Sequence, residues 1–249
     1  MIIYDGNNQA RIMWETESRP MRTMQFLSNL TSEPVIWAWD GFGSNQRRRE
    51  IFPGYKVKKP SEKAPSEFFK TIAEIKKMLR HTSALQIEVE GYEADDVIAS
   101  VIAGWEPTER LHIMSTDRDL QVLKLIPNVT TSQTPLPNVS LQDMQLYKAC
   151  VGDSSDKIPG IPGFGKKAWE DVDRVSLKMF VEGTTKDFPH GLSKRVHNWL
   201  LDQENVKLLR SMYKCIELID VPEPLLVAGM KQGVRNDAAA DAIMKEFLQ

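Results

Sequence analysis

Short apolar runs bounded by polar or turn residues punctuate the first half of the chain. Residues 2–4, 35–39, 85–89 and 111–115 are rich in β-branched or aromatic side chains and predict strands. Between them, residues 21–30, 65–80 and 94–103 carry apolar positions at helical spacing; the second begins near Pro65 and places Phe68, Phe69, Ile72, Ile75 and Leu79 on helical repeats. Alternating β and α elements predict a mostly parallel sheet flanked by helices, an α/β fold. After Asn128 the pattern turns helical, apart from a possible short strand at 129–132, with helices expected at 140–150, 166–172, 192–201, 205–213 and 237–248. A sharp Gly/Pro-rich turn is expected at 158–165 and a loop at 183–191. This gives an α/β core over 1–139 and a helical region over 140–249.

A composition of 41% hydrophobic and 27% charged residues is that of a globular protein large enough to bury a core. An acid at position 5 interrupts the N-terminus before any signal-like apolar stretch, and no window reaches a membrane span. Cys150 and Cys215 are far apart and lack metal-ligand spacing, which suits a reducing compartment. The expectation is a cytoplasmic, monomeric protein away from membranes. The net charge of −2 conceals segregation: residues 41–80 hold 11 Lys and Arg against 4 Glu, whereas 88–119 hold 9 Asp and Glu against 2 Arg. A basic arm beside an acidic centre suits an enzyme that holds a polyphosphate while cations neutralise its carboxylates, although two solvated helix faces would give the same counts.

The acids fall at positions that matter. Asp5 and Asp40 end the first two expected strands, Asp117 and Asp119 follow the fourth, and Glu93, Asp95 and Asp96 open the helix after the third. In an open parallel sheet these carboxyl ends share one rim, where ligands bind. Concentrated carboxylates repel and call for a counter-charge, which hard oxygen-seeking ions such as Mg²⁺ or Mn²⁺ supply. Two such ions can activate water and stabilise the leaving oxygen of a phosphoryl displacement. Any one of these acids could simply cap a helix; capping does not explain the whole set on one rim.

The strings GYEADDVIA at 91–99, STDRDLQVL at 115–123 and VGDSSDKIPGIPGFGKKA at 151–168, with IYDGNN and WAWDGFGSNQRRREIFPGYKVKK upstream, resemble in order the motifs of the 5′-nuclease family. That family includes the N-terminal nuclease domain of bacterial DNA polymerase I, stand-alone bacteriophage 5′-exonucleases and flap endonucleases, and the resemblance covers residues 1 to about 221. It implies a PIN-like nuclease core with a helix-hairpin-helix-type DNA-binding element near 150–175, and structure-specific 5′-3′ exonuclease and flap cleavage in replication or repair. It assigns Asp5, Asp40, Glu93 and Asp95 to a first metal site and Asp117, Asp119, Asp153 and Asp156 to a second, with Asp96 supporting the cluster and two Mg²⁺ ions, or Mn²⁺ in their place, as cofactors. Lys56 would approach the scissile phosphate and Tyr55 stack on a terminal base, with Arg47, Arg48 and Lys59 as further DNA contacts. Residues 56–80 would form a basic arch over the site, within a gateway spanning about 41–80. Gly160, Gly163 and Gly165 would let the hairpin turn and offer N–H groups to a phosphate, Lys166 and Lys167 adding charge, with K⁺ as a possible hairpin ion. The implied partner is DNA with a free 5′ end, flap or overhang, or an RNA/DNA hybrid.

Three departures stand out. Ile12 occupies the place of a family Arg, with Arg11 one position earlier; Lys59 replaces an Arg; and the family's DN before IPG is Asp156 with Lys157. None is a proposed metal ligand. A non-catalytic DNA-binding homologue is one alternative, although no motif acid is replaced. A small-molecule phosphohydrolase with a nucleophilic Asp is another, but it would favour a second acid where Asn7 stands.

Overall fold

A computed structural model describes residues 1–15, 35–59, 61, 64–104 and 109–247. The expected helix at 21–30 lies outside the described residues. The chain divides into two compact units, each discontinuous in sequence: unit 1 comprises Met1–Ser44, Lys59–Thr134 and Leu218–Gln249, and unit 2 comprises Asn45–Lys58 and Pro135–Glu217. Sequence reading had drawn a single boundary at 139/140. No helix among the described residues is long and apolar enough to cross a membrane.

Unit 1 is built on β1 (Ile2–Asp5), β2 (Val35–Asp40), β3 (Leu85–Val89), β4 (Leu111–Met114) and β5 (Val129–Thr131), joined by an edge strand β6 (Met230–Gln232). Their order is β5-β4-β1-β2-β3-β6, parallel throughout except for β6, which runs antiparallel to β3. The period-2 alternation of a strand sorts the side chains. Ile3, Ile36, Ala38 and Ile87 point to one face, where Val97, Ile98 and Ile102 of α4 (Ala94–Ala103) cover them. Tyr4, Val35, Trp37 and Trp39 point to the other, packed with Ala10 and Met13 of α1 (Gly6–Glu15) and with Phe68, Ile72, Ile75, Met78 and Leu79 of α3 (Ser66–Leu79). On that face Tyr4, Trp37 and Trp39 stack in a row with ring centroids 4.8 and 5.5 Å apart. Burying the core of a three-turn helix by its apolar stripe is what gives such a sandwich its stability.

The chain returns to unit 1 after Glu217 as α10 (Glu223–Gly229), β6 and α11 (Asp237–Phe247). β6 was not anticipated: three residues, all exposed, carry no burial periodicity, and their pairing is decided by the free edge of β3. α1 was missed for a related reason, because the asparagines and glutamine of its first turns depress its helical signal.

Unit 2 holds α2 (Gln46–Ile51), α5 (Met144–Val151), α6 (Lys166–Asp171), α7 (Arg174–Glu182), α8 (Lys194–Leu200) and α9 (Gln203–Ile216). One cluster forms its core, with Phe52, Leu146, Trp169, Leu177, Phe180, Leu200, Leu209 and Met212 among its members. α7 starts on a conventional cap, the Asp173 side chain accepting from the Val175 N–H, and ends on Gly183 in the left-handed conformation.

Candidate active site

β1 lies in the middle of the sheet. The chain proceeds outward to β2 and β3 and then returns to β4 on the other side, so the strand order reverses between β1 and β4. The crevice at the carboxyl ends of strands on either side of such a reversal is where open α/β sheets take ligands. Asp5 is the last residue of β1 and Asp40 the last of β2, Asp117 and Asp119 follow β4, and Glu93, Asp95 and Asp96 stand at the start of α4. The seven acids of unit 1 therefore start from the strand and helix ends at the rim expected from sequence, although the Asp96 side chain turns inward.

Short polar side chains hold them there. The Asn8 N–H donates to Asp5 Oδ1 at 3.1 Å and the Ser115 hydroxyl to Asp5 Oδ2 at 2.8 Å. Asn7 Oδ1 accepts the Asp40 N–H at 3.1 Å, while the Asn8 amide both donates to Thr116 Oγ1 at 2.7 Å and accepts the Thr116 N–H at 3.0 Å. The first turn of α1 thereby ties the ends of β2 and β4 to β1. Gly6 makes this possible: a Cβ there would lie 2.4 Å from the Trp39 ring. Asp40 Oδ1 accepts the Ala94 N–H at 2.9 Å, a carboxylate against the positive end of α4. Asp117 Oδ1 accepts the Asp119 N–H at 2.9 Å. Sequence reading missed Asn7, Asn8, Ser115 and Thr116 as site-building residues, although the first two lie in the DGNN string.

Asp5 is 5% exposed. Burial, reinforced by the charges of Asp40 and Asp117, outweighs the hydrogen bonds from Asn8 and Ser115 and pushes its carboxyl up to about 7 from an ordinary 3.8. This is the electrostatic state of a carboxylate group short of positive charge, and an all-oxygen donor set of this kind fits a hard divalent cation. Among the described residues no group of three His, Cys, Asp or Glu side chains is placed so that it could hold a metal ion as the side chains stand.

Asp96, expected from sequence to support the cluster, is tied into the fold by its carboxylate. It is fully buried, and both its carboxylate oxygens accept backbone N–H groups: Oδ2 from Glu93 at 3.1 Å and Oδ1 from Ile219 at 2.8 Å. With the Glu93 side chain accepting from the Asp96 N–H, the pair forms a capping box. One turn on, Ser100 Oγ accepts the Val221 N–H at 2.8 Å. Asp96 and Ser100 thus sew the returning segment at 219–221 to the acid-bearing helix.

In unit 2, Asp153 and Asp156 lie on the turn after α5. An antiparallel bridge pairs Asp153 with Ile158, both N–H···O distances being 2.8 Å. Lys148 of α5 reaches both acids, its Nζ 2.5 Å from Asp153 Oδ2 and 3.5 Å from Asp156 Oδ2. Burial alone would raise the Asp153 carboxyl, but the charge and hydrogen bond of Lys148, with two donors from Ser155, hold it below the usual range. Lys56 lies in the same unit with its Nζ 3.6 Å from Asp156 Oδ1 and its N–H donating to the Asp156 carbonyl at 2.9 Å. Lys56 at φ 47° and Lys157 at φ 61° both adopt the left-handed conformation that side-chain-bearing residues avoid.

Several expected DNA contacts turn inward. Arg48 is 3% exposed, and its guanidinium donates to the Cys215 and Glu217 carbonyls, so it anchors α2 rather than facing a phosphate. Tyr55 is 3% exposed and belongs to the core of unit 2, which removes its ring from base stacking. Gly160 is buried, a Cβ there falling 2.6 Å from the Gly152 nitrogen, so its task is close backbone approach. Arg47, Lys59, Gly163, Gly165, Lys166 and Lys167 are exposed. Within the arch expected over residues 56–80, α3 packs its apolar stripe on the core of unit 1 and leaves Lys70, Lys77 and Arg80 outward. Arg11, the neighbour of Ile12, lies 5.0 Å from the Phe68 ring and pairs with Glu15 at 3.0 Å.

The family described as 5′-3′ exonuclease, N-terminal resolvase-like domain, matches residues 19–149. A 5′-3′ exonuclease of Bacillus subtilis is 27% identical over 183 residues, covering 64% of this chain and 61% of the relative. One from Aquifex aeolicus is 33% identical over 133 residues, covering 49% and 45%. This chain spans about half the length of the curated relatives it matches. Two solved bacteriophage T5 structures share its fold: a 5′-exonuclease with bound zinc, 22% identical with TM-score 0.62 over 100% of this chain and 98% of that chain, and a flap endonuclease in a pseudo-enzyme-product complex with DNA and metal ions, 20% identical with TM-score 0.57 over 100% and 99%.

Proposed function

The chain belongs to the family of 5′-3′ exonuclease N-terminal resolvase-like domains, and from that premise we propose that it is a divalent-metal-dependent 5′ nuclease hydrolysing DNA phosphodiesters near free 5′ ends. The observation that carries this reading is the set of acids at the carboxyl ends of the strands where the strand order reverses, with Asp5 buried beside the charges of Asp40 and Asp117. A cluster in that state gains most from a bound cation. Mg²⁺, with Mn²⁺ as substitute, would be held in unit 1 by Asp5, Asp40, Glu93, Asp95, Asp117 and Asp119; in unit 2, Asp153 and Asp156 are the candidate ligands. When bound, two such ions supply Lewis acidity to the phosphate and make water a stronger nucleophile at neutral pH.

The chain's own groups do the rest. Asn7 and Asn8 fix the acids in register, so the ligand set is organised before substrate arrives. Lys56, on a strained backbone with a partly exposed ammonium, stabilises charge developing on the scissile phosphate. Arg47, Lys59, Lys166 and Lys167 bind the phosphate backbone without reading sequence, and exposed Gly163 and Gly165 let the hairpin approach it closely. K⁺ at the hairpin, 5′ flaps, overhangs and RNA/DNA hybrids as substrates, a role in replication or repair, and a cytoplasmic monomer complete the proposal. A 5′-labelled flap and an overhang duplex incubated with Mg²⁺, with EDTA, and with the Asp117→Asn variant test it. Cleavage with Mg²⁺ should fall at least 100-fold in the other two. Tight DNA binding with no cleavage under any condition would leave a non-catalytic homologue, and equal cleavage in all three would remove the metal mechanism.

A further inference from the structure

Lys148 is a lysine in an unusual place. It is 9% exposed, near the end of α5, and its single ammonium is shared by the two acids of the following turn. Lysine is rarely so buried without a specific ionic partner, and a buried ion pair adds little stability that an apolar side chain of similar volume would not. Its presence therefore asks for another explanation. The oxygens of Asp153 supply one. Oδ1 accepts from both the N–H and the hydroxyl of Ser155, and more distantly from the Asp156 N–H at 3.4 Å, while Oδ2 is taken by Lys148. On Asp156, Oδ2 faces Lys148 and Oδ1 faces Lys56. Two carboxylates and two ammonium groups thus balance one another. A divalent ion arriving at these acids would find their negative charge already neutralised, and the oxygens it needs include those Lys148 holds.

We propose that Lys148 is the resident counter-cation of the Asp153–Asp156 pair, which holds both carboxylates in place in the metal-free protein and gives way when a divalent ion takes them. Lys148 is then a positioning residue that sets the metal concentration at which the pair is occupied. Its stem is long enough for the ammonium to leave while the methylenes stay packed. This rests on the reading of Asp153 and Asp156 as metal ligands.

The test uses the full chain and Mn²⁺ alone, without substrate. Lys148→Met should lower the melting temperature in EDTA, because Asp153 and Asp156 lose the ammonium they share. It should also bind Mn²⁺ at least fivefold more tightly in calorimetric titration and gain more melting temperature from Mn²⁺ than the parent. Lys148→Arg should stay within twofold of the parent. If Lys148→Met does not fold, acetylation of the parent followed by mass spectrometry decides: Lys148 should be protected in EDTA and labelled at least fivefold faster with Mn²⁺. Unchanged Mn²⁺ affinity in Lys148→Met, or labelling indifferent to Mn²⁺, overturns the inference. Asp153→Asn separates the two readings. If it retains the parent's Mn²⁺ stoichiometry, the acids are not ligands and the premise fails; if it loses a site while Lys148→Met binds as the parent does, only the role of Lys148 fails.

Discussion

Replacing Asp5 by Asn should stabilise the metal-free protein, and by more at high pH than at low. In the folded chain the Asp5 carboxyl is raised from 3.8 to about 7, so the fold binds its proton more tightly than the unfolded chain does. An acid with a raised value contributes stability that is fully present below about pH 4 and is lost as pH climbs towards 7, because ionising it inside the fold costs more than ionising it in water. At about 1.4 kcal/mol per tenfold change in proton affinity, the ceiling on that cost is about 4 kcal/mol. Relaxation around a buried charge reduces it, and about 1 to 3 kcal/mol is the realistic range between pH 5 and pH 8. Asparagine keeps a carbonyl oxygen for the Asn8 N–H and cannot ionise. Urea unfolding of both proteins in EDTA at pH 5, 6, 7 and 8 isolates the effect, since every other titrating group is common to the pair. The stability difference should widen in favour of Asp5→Asn as pH rises. With Mn²⁺ the order should reverse, because the parent gains binding free energy that the variant lacks. A difference that stays flat with pH, or an Asn variant less stable than the parent at pH 8 in EDTA, would refute the idea that the rim acids are under electrostatic strain.

Two further outcomes follow from named contacts. Asp96→Asn places an amide where two backbone donors converge, so it should cost about 2 to 3 kcal/mol, the scale of a buried charge-assisted hydrogen bond left broken; hydrogen exchange should quicken at Ile219 while Mn²⁺ affinity per folded molecule stays unchanged, and weakened affinity would mean that Asp96 is a ligand after all. Gly183→Ala should lower stability by about 1 to 2 kcal/mol in denaturant unfolding, since Gly183 ends its helix at φ 79°, where a side chain is strained; an unchanged midpoint would show that the helix end relaxes without cost.

What the sequence disclosed and what it hid divide along physical lines. Residues 85–89 and 94–103 form a strand and helix with the expected bounds, because alternation and a clean acidic start are local signals. The rim was legible for the same reason: strand ends in a parallel sheet share a side, so acids placed there needed no long-range information. β6 depended on an unpaired edge 145 or so residues earlier in the chain, which no window of sequence contains. The inward turn of Arg48 was equally invisible, since its acceptors are the Cys215 and Glu217 carbonyls and an RRR triplet looks the same whichever member is buried.

The acids illustrate the limit most sharply. In sequence Asp95 and Asp96 are neighbours in one motif and invite one role, yet a helix separates successive residues by about 100°. Asp96 therefore faces the interior, where it caps α4 and accepts the Ile219 N–H, whereas Asp95 remains partly exposed at the rim. Asp153 and Asp156, three apart, differ in the opposite sense: both meet the one ammonium of Lys148. Motif spacing identifies which carboxylates are available to the chemistry, but the charge each one faces when the metal is absent is set by residues the motif does not name. Asp5, with Asp40 and Asp117 for neighbours, is left short of positive charge, and Asp153 is already supplied with it. The two groups of acids should therefore take up divalent ions at different concentrations, the rim of unit 1 first, so a Mn²⁺ titration of the parent protein should resolve a tighter and a weaker step, of which Asp5→Asn weakens the tighter and Lys148→Met strengthens the weaker.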